Sequence, residues 1–195
     1  MTGDVQMDDS AGKATEFVIG YLDTSNGDIE NSWTFGGNFY EEAAAIVVDA
    51  ANYIYVTGTS SSTGMTYGFR DVFTFKFNPS SGEGVWGNYF GSGASDNDIS
   101  KDIVVSPDLV NVYVVGSEDT VGLTFGSTDI LMARFDARTG EPKFVAHMGG
   151  DIHDEGYAMH VTNTGKIIVA GHSMSTVMSV SNTQDLIILA VDKFG

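Results

Sequence analysis

The chain has 195 residues and sets 26 acidic side chains against 9 basic ones, a net charge of −17. That charge repels phosphate backbones and anionic membranes at long range, which excludes nucleic acid as a partner class. There is no cysteine, which excludes disulfides, thiolate metal sites and cysteine nucleophiles; no apolar run approaches the roughly 18 residues of a membrane span, so no membrane insertion is expected.

Residues 1–15 are polar and acidic and read as a flexible N-terminal segment. From residue 16 to 195 the chain is a repeat. An acidic residue, a mostly apolar run, and then Asp or Asn seven positions on recur as Glu16 to Asp23, Asp71 to Asn78, Asp129 to Asp136 and Asp185 to Asp192. Successive starts are 55, 58 and 56 residues apart, a period of about 56. Self-similarity at such a period marks a supersecondary unit that must stack on its neighbours to bury its faces.

In chain order, a partial repeat over 16–36 supplies two strands, the second carrying Trp33. A full repeat over 37–92 predicts strands near 43–48, 53–58, 72–77 and 85–90, and a second over 93–150 follows the same plan. A partial repeat over 151–195 ends after its third strand, for thirteen strands in all. Each run is rich in Val, Ile, Phe and Tyr and bounded by Gly, Asn, Asp and Ser, so strands are expected and helices are not. Glycines close the second run of each unit at Gly58, Gly116 and Gly171. Val47, Tyr55, Phe73, Phe75, Val104, Tyr113, Leu131 and Ile187 sit mid-strand and form the expected core, with Trp33, Trp86 and Phe144 as further packing residues.

Four-stranded units stacked radially are the β-propeller solution. The fold class is therefore all-β, a propeller arc of four-stranded antiparallel blades with about three and a quarter repeats and an incomplete ring, since a closed propeller typically takes about four to eight blades. Further residues of a longer chain, protein partners or copies of the chain itself are expected to complete it.

The succession YIYVTGTSSS, DVFTFKFNPSSGEGVWGNYFGS, then an acidic segment and IVVD resembles the seven-bladed β-propeller repeat family. The similarity covers residues 16–195 and is strongest from Tyr40 to Ser92. That family occurs largely in secreted and surface proteins, so the resemblance implies an extracellular or cell-surface setting. It has no single activity, and it implies fold far more than function.

Antiparallel order brings the long segments together on one face: loops 59–70, 117–128 and 172–184, and the acidic connections 36–42, 91–101 and 149–156. Within the connections Glu41, Asp98 and Asp154 keep matching register and are the candidate metal ligands. Calcium, which takes about six to eight oxygens, is the cation they suit, although carboxylates accepting backbone N–H bonds in Gly-rich turns is the simpler role. No cofactor is required by any motif. Tyr67 and Phe125 recur four residues before the acidic marker and are the candidate carbohydrate-stacking pair, with wedging between blades the simpler alternative. The four histidines, His147, His153, His160 and His172, show no i, i+2 or i, i+4 spacing and read as ordinary surface or core residues.

With no acid and base in register, the chain reads as a non-catalytic module for protein interaction or assembly. A carbohydrate-binding lectin is the alternative, and an enzyme acting from the loop face is the second alternative.

Overall fold

The computed structural model describes residues 2–9, 12–62, 69–91, 96–119, 127–176 and 184–191, those of 2–9 and 12–14 by backbone alone. The described residues are strands and turns, without a helix.

They form four antiparallel sheets. The first joins β1 (Thr2–Asp9), β2 (Gly12–Leu22) and β3 (Ile29–Phe35). The second joins β4 (Glu41–Val48), β5 (Ile54–Ser60), β6 (Asp71–Asn78) and β7 (Glu83–Phe90). The third joins β8 (Asp98–Val105), β9 (Asn111–Glu118), β10 (Asp129–Asp136) and β11 (Pro142–Met148). The fourth joins β12 (Asp154–Val161), β13 (Ile167–Ser173) and β14 (Asp185–Val191). Strand order within each sheet follows chain order, the meander of a propeller blade. The sheets build an open arc.

One element departs from the sequence reading. Residues 1–15 were expected to be a flexible tail, yet Thr2–Asp9 pair along their whole length with β2, from Thr2 opposite Ile19 to Asp9 opposite Gly12. The first blade thus has three described strands, and fourteen strands are described in all. The antiparallel pairing with β2 places β1 although its sequence has no apolar run.

The turns explain why Asp, Asn and Gly recur. Between third and fourth strands the N–H of Gly27, Gly82 and Gly140 donates to the carbonyl of Asp23, Asn78 and Asp136, with φ of 82°, 74° and 75° at the glycines. Only glycine reaches that region without strain. Asp23 also accepts from the backbone N–H and hydroxyl of Ser25, both at 2.7 Å, which lowers its pKa. The Asp23 to Asp28 segment is therefore a hairpin turn, equivalent to the turn that begins at Asn78.

Cores lie between sheets. Phe17, Ile19, Ile54, Val56, Phe73 and Phe77 fill the first interface. Tyr55, Val72, Ile103, Val112, Val114, Leu131 and Phe135 fill the second, and Tyr113, Val115, Ile130, Met132, Met159, Val169 and Ile187 the third. A middle strand is sandwiched by blades on both faces, so β5 is buried at every position and the usual in–out alternation vanishes. Of the expected core, Tyr55, Phe73, Tyr113, Leu131 and Ile187 are buried. Val47, Phe75 and Val104 are only partly buried and pack on the edge of the cores; Val47 and Val104 lie on first strands, which are flanked on one side only.

Polar clasps supplement these interfaces. The carbonyl of Ala137, in the third blade's hairpin turn, accepts from Lys76 Nζ at 2.8 Å, Trp86 Nε1 at 3.2 Å and Tyr55 Oη at 3.4 Å of the second blade. Burial lowers the Lys76 pKa, and the ammonium lies 4.2 Å from the centre of the Tyr53 ring. Trp86 is thus a packing residue, and Trp33 and Phe144 border the flanking cores.

Candidate functional site

Single parallel bridges link each blade to the next: Thr15 with Tyr40, Arg70 with Asn97, and Thr128 with His153. Each bridge is followed on both strands by an acidic residue, giving the sets Glu16 and Glu41, Asp71 and Asp98, and Asp129 and Asp154. A glycine lies against each set. A Cβ at Gly36 would sit 2.8 Å from Glu41 Oε2, one at Gly91 2.2 Å from Asp71 Oδ1 and 2.5 Å from Asp98 Oδ2, and one at Gly149 1.9 Å from Asp129 Oδ1. The recurrent glycines before the acidic connections therefore leave room for carboxylates.

The three candidate metal ligands begin β4, β8 and β12 and are almost wholly buried. Glu41 accepts from the backbone N–H of Gly37 at 2.9 Å, the Ser60 hydroxyl at 3.0 Å and the Ser62 hydroxyl. Asp154 accepts from the Gly150 N–H at 2.8 Å and the Ser175 hydroxyl at 2.6 Å. These bonds staple the connection before each blade and the loop after its second strand to the sheet. They are the turn-holding role that carboxylates in Gly-rich connections were expected to play.

The third set carries more than that. Asp129 Oδ1 and Asp154 Oδ1 are buried with no hydrogen-bond partner. The Asp129 pKa is raised, first by burial and then by the charge of Asp154, with Glu118 adding to the rise and His147 opposing it. Glu118 is itself in contact with His147 through its carboxylate. Burial and a neighbouring negative charge thus both disfavour the ionised form of Asp129.

The sign of the resulting pH dependence is fixed. Because the folded-state pKa of Asp129 lies above its unfolded value of about 3.9, its ionisation penalises the fold as pH rises through that window, and no penalty exists below it. Asp129→Asn is expected to raise the urea midpoint in calcium-free buffer at pH 7. The gain should vanish below about pH 4, where the native carboxyl is already neutral. A loss of stability at pH 7 would refute the reading that ionised Asp129 penalises the fold.

A second cluster was not legible in single-strand spacing. Glu155 of β12 stands directly opposite His172 of β13, and His153 precedes β12 on the same edge. His153 Nε2 lies 3.3 Å from Glu155 Oε1, and the His153 and His172 ring centres are 5.3 Å apart. Tyr157 donates its hydroxyl to Glu155 Oε2 and packs against His172, its ring centre 5.4 Å away; the bond pushes the Tyr157 pKa up to about 12. His172 is 8 % exposed. The expectation of ordinary, separate roles fits the exposed His160; His153 and His172 come together.

Tyr67 and Phe125, the candidate carbohydrate-stacking pair, lie outside the described residues. Comparison with known proteins gives no matching family model and no matching curated protein. Among solved structures, hydrazine synthase of Kuenenia stuttgartiensis aligns with 92 % of this chain and 57 % of its own, at 12 % identity and a TM-score of 0.44. The chain thus spans less than two thirds of that protein's length.

Proposed function

We propose that this chain is a non-catalytic, protein-binding arc of a β-propeller, a member of the seven-bladed repeat family, on whose fourth blade a further blade docks. One observation carries this reading. Leu186 and Ile188 of β14 are 77 % and 69 % exposed. Their equivalents in the internal blades, Val72 and Thr74 of β6 and Ile130 and Met132 of β10, are each 0 % exposed because the next blade covers them. The first blade repeats the pattern with Phe17 at 4 % and Ile19 at 1 %. Leu and Ile thus occupy positions whose equivalents in the other three blades lie at a blade–blade interface.

The occupant is another blade of the same kind, from a second copy of the chain. Burying each of these side chains contributes about 1.5–3 kcal/mol, and β14, which pairs only with β13 among the described residues, offers a free strand edge beside them. The resemblance to a repeat found largely in secreted and surface proteins supports an extracellular setting. The absence of an acid and base in register supports a non-catalytic role.

Sedimentation velocity tests the proposal. The chain should self-associate as its concentration rises into the micromolar range, and the pair Leu186→Glu with Ile188→Glu should return it to monomer without lowering its thermal midpoint. A wild-type chain that stays monomeric throughout would overturn it.

A second reading, calcium held between blades, draws on the unpartnered Oδ1 atoms of Asp129 and Asp154. Millimolar calcium would then stabilise the wild type and leave Asp129→Asn unchanged.

A further inference from the structure

The repeat offers an internal control for the cluster at the start of β12. The bridge partner before the first strand, the second residue of that strand and its cross-strand neighbour are Tyr40, Glu42 and Thr59 in the second blade. They are Asn97, Ile99 and Ser117 in the third, and His153, Glu155 and His172 in the fourth. The backbone scaffold is the same each time, down to the bulge that follows at Ala43, Ser100 and Gly156. The fold therefore does not require imidazoles at these points, since two of three copies do without them. Only the fourth blade assembles two histidines and a glutamate.

The placement is that of a ligand set. The donor atoms of His153, Glu155 and His172 all lie within 4.8 Å of one another. Bonds of about 2.0–2.1 Å to a single zinc ion would require the two rings to turn toward a common centre. His172 Nδ1 is buried and has no hydrogen-bond partner, which leaves one nitrogen of the buried histidine in this cluster with its bonding capacity unused. Buried polar atoms are rarely left so. Glu155 is oriented by the Tyr157 hydroxyl on its other oxygen, the kind of outer contact that fixes a carboxylate ligand. The site is also reachable, because the His153 and Glu155 side chains are 32 % and 21 % exposed.

We propose that His153, Glu155 and His172 bind a divalent transition metal of the zinc class, with Tyr157 as the positioning residue for Glu155. Imidazole nitrogen with carboxylate oxygen suits zinc better than calcium, which prefers oxygen throughout. Three protein donors leave a fourth tetrahedral position on the loop face for water or for a donor from a docked partner.

Zinc binding by the intact chain tests this, read by competition with a chromophoric chelator and by the visible spectrum of the cobalt-substituted protein. One zinc per chain and a tetrahedral cobalt spectrum are expected. His172→Gln and His153→Gln should each weaken zinc at least about a hundredfold, and Tyr157→Phe about tenfold. His160→Gln, an exposed change on the same strand, should leave it intact. His153 is a third exposed, so His153→Gln keeps the test valid should the buried His172→Gln misfold; circular dichroism checks each variant. Absence of stoichiometric zinc, zinc retained in His153→Gln, or zinc lost in Asp129→Asn instead would overturn the assignment.

Discussion

Alanine at Gly116 should remove about 4 kcal/mol or more of stability, read as a lower urea midpoint at unchanged slope. A methyl group there would lie 1.9 Å from the carbonyl oxygen of Ile99 and 2.8 Å from the Ser100 Cα. Both are backbone atoms, which no rotamer change can move away. The crowding arises from a bulge in β8 between Ser100 and Asp102, opposite Gly116 in β9. A bulge bends its strand and drives one carbonyl over the neighbouring chain. The same device recurs in the second and fourth blades, where a Cβ at Gly58 or Gly171 would meet the carbonyl oxygen of Glu42 or Glu155 at 2.0 Å. The third blade is covered on both faces, so displacing its first strand disturbs two interfaces, and a domain typically has only about 5–15 kcal/mol to lose. Gly20→Ala is the matched control. Its Cβ meets nothing nearer than 3.6 Å, and restricting the unfolded chain should stabilise that variant by about 0.4–1 kcal/mol. Equal losses in the two variants would show that strand entropy, not the bulge, selects the repeated glycine.

Gly58, Gly116 and Gly171 illustrate what the repeat makes legible. Their recurrence locates the second strand of each unit from sequence alone, yet the reason for them is a bulge on another strand. The acidic markers behave likewise. The register of Glu41, Asp98 and Asp154 is plain in the sequence, but each stands beside an acid of the preceding blade, and blade-to-blade pairing leaves no trace in one-dimensional spacing. Asp129 beside Asp154 is the clearest case. His153 and His172 carry no short-spacing signature because antiparallel pairing joins residues far apart in sequence, here Glu155 with His172. β1 was hidden for a different reason: TGDVQMDD has three aspartates and no apolar run, while ladder pairing with β2 involves the backbone and leaves no mark in side-chain spacing.

Truncating Phe77 to alanine should cost about 3–5 kcal/mol, the range for a fully buried aromatic ring, and more than the same change at Phe75. Both belong to the apolar run of β6 and look equivalent as sequence. Phe77 is 0 % exposed. Its ring centre lies 4.8 Å from that of Trp33 and 5.4 Å from that of Phe35, so it joins the second blade to the outer strand of the first. Deleting it opens a void that two rigid rings on a neighbouring sheet cannot close. Phe75 is partly buried and borders an open cleft of about 180 Å³ together with Phe17, Phe35 and Phe73. Solvent already reaches that side of its ring, and removing it enlarges a cleft instead of creating a sealed cavity, so the cavity contribution largely falls away. Phe135, the equivalent of Phe77 in the third blade, is 1 % exposed and packs on Trp86 and Phe90; its truncation should match that of Phe77. Urea denaturation of the three alanine variants checks the order, with Phe77 and Phe135 falling together below Phe75. An equal loss at Phe75 would mean that the cleft is closed in solution by packing across the first blade interface.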